Sequence, residues 1–161
     1  MASLFSPHRR LFAAAAMAAA LSGDALAAGS VEMQVEHLVK QAMAEYNTAM
    51  EANDSAAFLK YFASNAKRES PLSAQSGRDE LGRYLEAEFK KFKASLQVKK
   101  MFVRGSSSAI VFTWDAVDRQ TGDALKIDML GVFEVGSSGQ FSSAAYYFDS
   151  AKAQPLAGLG K

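Results

Sequence analysis

The sequence of 161 residues has no cysteine, two histidines and one tryptophan. Without cysteine it forms no disulfide, offers no thiol nucleophile and holds no iron–sulfur cluster. One of the histidines, His8, falls in an N-terminal leader pattern, which leaves His37 for the folded protein. His37 sits in an amphipathic helical pattern, the usual setting of a surface imidazole. A zinc site or a Ser-His-Asp triad is therefore not expected, and neither a metal nor a cofactor is called for. Long apolar runs are missing too. The longest, the 11 residues Leu11 to Leu21, is about half of the roughly 20 needed to span a bilayer, so no membrane span is expected.

What that run does fit is a secretory signal. Arg9 and Arg10 precede it, and the small residues Ala25 and Ala27 follow, which predicts a signal peptide over 1–27 with cleavage after Ala27. The expected compartment is the periplasm or the exterior. Arg-Arg-Leu-Phe at 9–12 also has the twin-arginine arrangement, a weaker sign of the route for folded cargo. Cleavage removes two of the 18 basic and one of the 17 acidic residues, leaving a domain of zero formal charge. Lys90, Lys91, Lys93, Lys99, Lys100 and Arg104 cluster with few interleaved aromatics. That predicts a solvated face and no nucleic-acid partner.

The remainder reads as one domain, 28–150, with a tail at 151–161. Val31, Val35, Leu38, Val39, Ala42, Tyr46, Ala49 and Met50 recur at helical spacing. Asp54 is placed to cap a second, shorter helix carrying Phe58, Leu59 and Phe62. A loop containing Ser70-Pro71 and Gly77 follows, and then a third helix with Leu81, Leu85, Phe89 and Phe92 on one face, Tyr84 beside them and Gly82 within it, where a close backbone approach is expected. After Ala94, four segments rich in β-branched and aromatic residues alternate with turn sequences, which predicts four antiparallel strands. Three helices followed by such a sheet make an α+β domain with the helices on one face.

Closing a hairpin on Arg-Gln-Thr-Gly at 119–122 pairs Asp115 with Lys126, Trp114 with Ile127 and Phe112 with Met129. The opposite charges and the apolar pairs support one register. Closing the next on Gly-Ser-Ser-Gly at 136–139 pairs Phe133 with Ser142 and Gly131 with Ala144. One face then carries Ile110, Phe112, Trp114, Ile127, Met129, Phe133, Tyr146 and Phe148, and lies under the helices. The other carries Val111, Thr113, Asp115, Lys126, Leu130, Val132 and Tyr147. Its apolar members need a cover, most simply a second copy of the chain, so a homodimer is expected.

The order of these elements, with the phrases YNTAMEANDSAAFLKYFASNA, SGRDEL and the closing YYFD, resembles the nuclear-transport-factor-two-like superfamily, which includes SnoaL-like polyketide cyclases and ketosteroid isomerases. The resemblance covers about Val31 to Asp149. It implies a cone-shaped fold in which a curved sheet wraps around the helices and leaves a pocket, and dimers formed through the outer sheet face. In ketosteroid isomerases a tyrosine on the first helix donates to the oxyanion, which implies that role for Tyr46. The family's general base is an aspartate before a proline, and here that position is Ser70. Its second acid falls at Gly131, which has no side chain. Isomerase chemistry by that mechanism is not expected.

Other acids are candidates: Glu69 beside Ser70, and Asp149 closing the last strand, each also explained as a solvated or capping residue. Asp115 and Asp128 fall on the outer face, where cross-strand pairs are the usual role. The expected site is a pocket formed by Tyr46, Ser70, Phe112, Trp114, Met129, Phe133, Tyr146 and Phe148, binding a small apolar or amphipathic molecule without catalysis. The alternatives are a cofactor-free isomerase, cyclase or hydratase using Tyr46 with Asp149 or Glu69, and a dimeric assembly module. An acid facing the pocket favours the enzyme. An open acid-free pocket favours binding, and a filled one the module.

Overall fold

The computed structural model describes residues 9–160, with side chains from residue 29 onward, so the expected signal cleavage site at Ala27 lies outside the side chains described. Helix α1 (Arg9–Ala52) leads to a short α2 (Ser55–Leu59), then β1 (Phe62–Ser70), β2 (Ser73–Ser76), α3 (Arg78–Lys91), β3 (Phe92–Arg104), β4 (Ser107–Asp118), β5 (Ala124–Val135) and β6 (Phe141–Tyr147). A single 3₁₀ turn at Gln154–Leu156 follows. The α+β class with helices on a curved sheet holds, but the sheet has six strands in the order β2-β1-β6-β5-β4-β3, not four. The two additional strands occupy the segment read as a loop. β1 pairs parallel to β6, and every other neighbour is antiparallel. Among the described residues no helix is long and apolar enough to cross a membrane.

Helix α1 buries Val35, Val39, Ala42, Met43, Tyr46, Ala49 and Met50, the face expected of it, although Val31 is exposed. It stops where Asn53 turns left-handed (φ 54°), and the Asp54 carboxylate caps α2 by accepting from the Ala57 amide at 3.2 Å. α2 ends before Phe62, which opens β1. Asn47 ties α1 to the sheet: its amide donates to the Leu96 carbonyl (3.2 Å) and its carbonyl accepts from the Leu96 N–H (2.7 Å). A Cβ on Gly82 would stand 3.2 Å from the Leu59 side chain, the close approach of α3 to α2 expected there, made by a side chain.

The β4–β5 register is as expected, with Asp115 opposite Lys126, Trp114 opposite Ile127 and Phe112 opposite Met129. The β5–β6 register differs by two residues: Phe133 faces Ala144 and Gly131 faces Tyr146, with an irregularity at Glu134/Val135. One residue of the shift comes from the turn, which closes with Gly136 N–H on the Gln140 carbonyl, and the other from an extra residue in β6, where Glu134 faces Ser143 and Val135 faces Phe141. Because the shift is even, each side chain keeps its face. The outer face carries two cross-strand ion pairs, Lys126–Asp115 (3.4 Å) and Lys99–Asp128 (2.7 Å), and Asp128 also accepts from the Thr113 hydroxyl. The tail joins the core: Ala153 and Leu156 are buried.

Candidate functional site

Between α1, α3 and the inner sheet face lies a cavity of about 50 Å³. It has room for a water molecule or two, not for an organic ligand. Its walls include Met43, Phe112, Met129, Phe133, Phe148 and Leu156, and its polar lining is Tyr46, Arg68, Tyr84, Glu88, Trp114 and Tyr146. A wider groove of about 570 Å³ runs between α1 and the β5–β6 turn, past Gln34, His37 and Gly136. It has no buried polar cluster, so the smaller cavity is the better candidate despite its size.

The polar lining forms a connected network drawn from separate elements. Trp114 Nε1 on β4 donates to Tyr46 Oη on α1 (2.8 Å), and Tyr46 donates onward to Glu88 Oε1 on α3 (2.5 Å). From β1, Arg68 Nη2 donates to Tyr84 Oη (3.0 Å), while Nη1 donates to Gln75 Oε1 (2.9 Å) and Ser73 Oγ (3.3 Å). The guanidinium carbon stands 3.9 Å from the Tyr84 ring centroid and 4.9 Å from that of Tyr146. Stacked planar contacts of this kind suit arginine rather than lysine. Glu88 and Arg68 are each only 7% exposed.

Burial raises the Glu88 carboxyl above its ordinary range, opposed by the hydrogen bond from Tyr46 and the positive charge of Arg68. Burial likewise raises Tyr46 and Tyr84, with the Glu88 charge adding to both. It pushes Tyr146 up to about 12 against the pull of Arg68. A carboxyl whose desolvation and hydrogen bonding oppose each other is suited to hold or release a proton at the cavity wall. Among the described residues no three His, Cys, Asp or Glu side chains gather as metal ligands.

The side chains predicted for the pocket are largely brought together. Tyr46, Phe112, Trp114, Met129, Phe133, Tyr146 and Phe148 line the cavity. Ser70 does not: its hydroxyl lies in the β1–β2 turn, donating to the Ser73 carbonyl (3.1 Å) and accepting from the Ser73 amide (3.2 Å). Glu69 is exposed on β1. Asp149 is exposed and caps the tail, accepting from the Ala151 amide at 3.0 Å. Gly131 has a packing reason to lack a side chain, since a Cβ there would meet Phe133 at 2.8 Å and Phe112 at 3.2 Å.

Sequence reasoning missed Glu88 and Arg68. Glu88 had a signal, because its spacing from Leu81, Tyr84 and Leu85 puts it on the inner face of α3, where an apolar residue is the rule. Arg68 had none while its strand was read as a loop.

The SnoaL-like domain family matches residues 43–144. The chain belongs to that family. No curated protein matches it. Among solved structures it is similar to a putative SnoaL-like polyketide cyclase from Jannaschia sp. CCS1 (12% identity, 78% of this chain and 92% of that one, TM-score 0.67). It is also similar to a putative isomerase from Bacillus subtilis (15%, 77% and 92%, TM-score 0.65). A third is an LEH-like epoxide hydrolase from M. tuberculosis (14%, 78% and 90%, TM-score 0.63). At these identities the likeness is one of fold, and function must be argued from the site.

Proposed function

We propose that this SnoaL-like domain binds a small, mainly apolar molecule in the cavity between helices and sheet, with the molecule's polar group directed to the Glu88, Tyr46 and Arg68 end. The observation that carries this reading is an aromatic and aliphatic wall interrupted by buried, hydrogen-bonded polar side chains. Such a division orients an amphipathic ligand: the apolar surface supplies affinity and the few polar groups fix direction. The present volume means that binding includes side-chain or segment movement. Nile red, a neutral apolar fluorophore, tests the reading. Wild type should enhance its emission saturably, and Met129→Trp, which fills the cavity, should abolish the enhancement while keeping the far-UV circular dichroism. Saturable enhancement that survives Met129→Trp, or none in the wild type, overturns it.

A second reading is favoured by Glu88 itself. A buried carboxyl on the cavity wall is the feature expected of an acid–base enzyme of this fold, with Tyr46 as hydrogen-bond donor, and it replaces Glu69 and Asp149 in that role. Turnover of an epoxide or an enone that is lost in Glu88→Gln, with Nile red binding retained, would establish catalysis. Around this core we propose export, with the mature chain beginning at Ala28, checked by N-terminal sequencing of the exported protein. We also propose a homodimer formed through the outer sheet face, where Tyr147, 57% exposed, faces Leu130 and Phe102 on β3 is 62% exposed.

A further inference from the structure

Arg68 is the one basic side chain on the cavity wall among the described residues. Its hydrogen bonds all go to uncharged acceptors, the Ser73 hydroxyl, the Gln75 carbonyl and the Tyr84 hydroxyl, and they leave guanidinium donors unused. None of the ion pairs among the described residues includes it. The acid on the same wall, Glu88, is engaged by Tyr46 from α1. The other titratable groups facing it are Tyr84 on its own helix, Arg68 on β1 and Tyr146 on β6. A largely buried cation with neutral hydrogen-bond partners at its edge and tyrosine rings on its faces keeps donors free for an anion in a poorly polarisable setting. Planar two-oxygen anions match the guanidinium fork best.

Resting on the ligand-binding reading above, we infer that the ligand is an amphipathic monocarboxylate, its carboxylate held by Arg68 and its apolar part packed on Phe112, Met129 and Phe148. The carboxylate accepts from the guanidinium donors that the Ser73, Gln75 and Tyr84 bonds leave unused. Competition for Nile red by octanoate and by octanamide, which share a chain and differ in charge, tests this on the full protein. Octanoate should compete at least tenfold more tightly. Arg68→Gln should remove the preference, weakening octanoate at least tenfold more than octanamide, and Arg68→Lys should retain part of it. Equal affinities in the wild type overturn the carboxylate assignment and leave apolar binding standing. Failure of both amphiphiles to compete, with no saturable Nile red signal, overturns both readings. The wild-type comparison needs no variant, so a poorly folding Arg68→Gln does not disable the test.

An independent observation concerns the chain after β6. Phe148 and Leu156 both line the cavity, while Ala151, Lys152, Gln154, Pro155, Ala157 and Gly158 are exposed, so a single layer of chain separates cavity from solvent there. Among the described residues the hydrogen bonds of this layer are local: Ala151 N–H to the Asp149 carboxylate, Ala153 N–H to the Asp149 carbonyl, Leu156 N–H to Ala153, Ala157 N–H to Gln154, Leu159 N–H to Leu156, and the Gln154 side chain to Ser150. Apolar contacts alone dock it on the domain. The geometry points to a displaceable plug, whose lifting opens the cavity to a ligand's chain. Leu156→Ala should raise octanoate affinity at least threefold, and octanoate should accelerate tryptic cleavage after the exposed Lys152. Weaker or unchanged binding by Leu156→Ala, or slower cleavage with octanoate present, overturns the plug.

Discussion

Replacing Tyr46 with Phe keeps the buried ring, which packs edge-on against Phe58 and Phe89, and deletes the hydroxyl that joins Trp114 to Glu88. Two buried groups lose a partner. Leaving one unsatisfied costs about 1–3 kcal/mol, so the expected loss with both orphaned is about 2–6 kcal/mol. Its pH dependence separates the two contributions. Glu88 is raised in the folded state, chiefly by burial, and the Tyr46 hydrogen bond works against that rise. A carboxyl raised on folding favours the native state below its unfolded value and loses that contribution as pH increases through the folded value. Deleting the Tyr46 hydroxyl raises the folded value further, so the loss extends to higher pH. Near pH 4, where the carboxyl is largely protonated, the cost should shrink to the roughly 1–2 kcal/mol of the orphaned indole N–H. As pH rises through the folded value it should grow toward the full figure, with pH 8 as the upper point measured. Urea unfolding followed by the fluorescence of the single tryptophan measures both values. A pH-independent difference, or one below about 0.5 kcal/mol at pH 8, refutes the view of the network as a buried proton-holding unit.

Asn47→Ala removes both hydrogen bonds to the Leu96 N–H and carbonyl and should cost about 1–3 kcal/mol in urea unfolding, because among the described residues no other side chain is bonded to them. Gly131→Ala should cost about 1–3 kcal/mol through displacement of the Phe133 and Phe112 rings, and a thermal melt within a degree of wild type would show that those rings yield freely. Leu130→Lys, on an exposed part of the outer sheet face, should shift sedimentation from dimer to monomer with little change in monomer stability, whereas a wild type already monomeric at about 50 μM would count against the dimer.

The β4–β5 hairpin was legible because several kinds of signal agreed: a turn sequence, an ion pair and alternating apolar residues all fix one register. β1 was not, for a physical reason. Its inward positions are Phe62, Ala66 and Arg68, and the register slips between Phe62 and Lys67, so the alternation is broken and one inward side chain is charged. The residue that hides the strand is the one the cavity uses. Glu88 likewise interrupts the apolar face of α3. Local patterns fail where a charge occupies an inward position, which is also where burial gives that charge chemical consequence. The β5–β6 register was missed by two residues because the turn is one residue longer than Gly-Ser-Ser-Gly and β6 carries one extra residue at the Glu134/Val135 irregularity, and neither has a clear sequence signature.

The same geometry revises what could be engineered at the positions that resemble ketosteroid isomerases. An acid at Ser70 would enter a tight turn whose hydroxyl bonds to Ser73, outside the cavity. An acid at Gly131 would enter a site where even a Cβ collides with two aromatic rings. Ser70→Asp with Gly131→Asp should therefore unfold at lower temperature than wild type and gain no turnover of a steroid enone. The polar functions of the cavity have to come from elsewhere: α3 supplies the carboxyl, α1 the hydroxyl beside it, and β1 the cation. Glu88→Gln isolates the part played by charge. It preserves the shape and an acceptor for Tyr46 while removing an ionisable group that burial disfavours, so stability should be unchanged near pH 4 and should rise relative to wild type as pH increases. A variant whose advantage appears at low pH instead would mean that Glu88 is held ionised in the folded protein, with Arg68 as its effective counter-ion and no vacancy for a ligand's carboxylate.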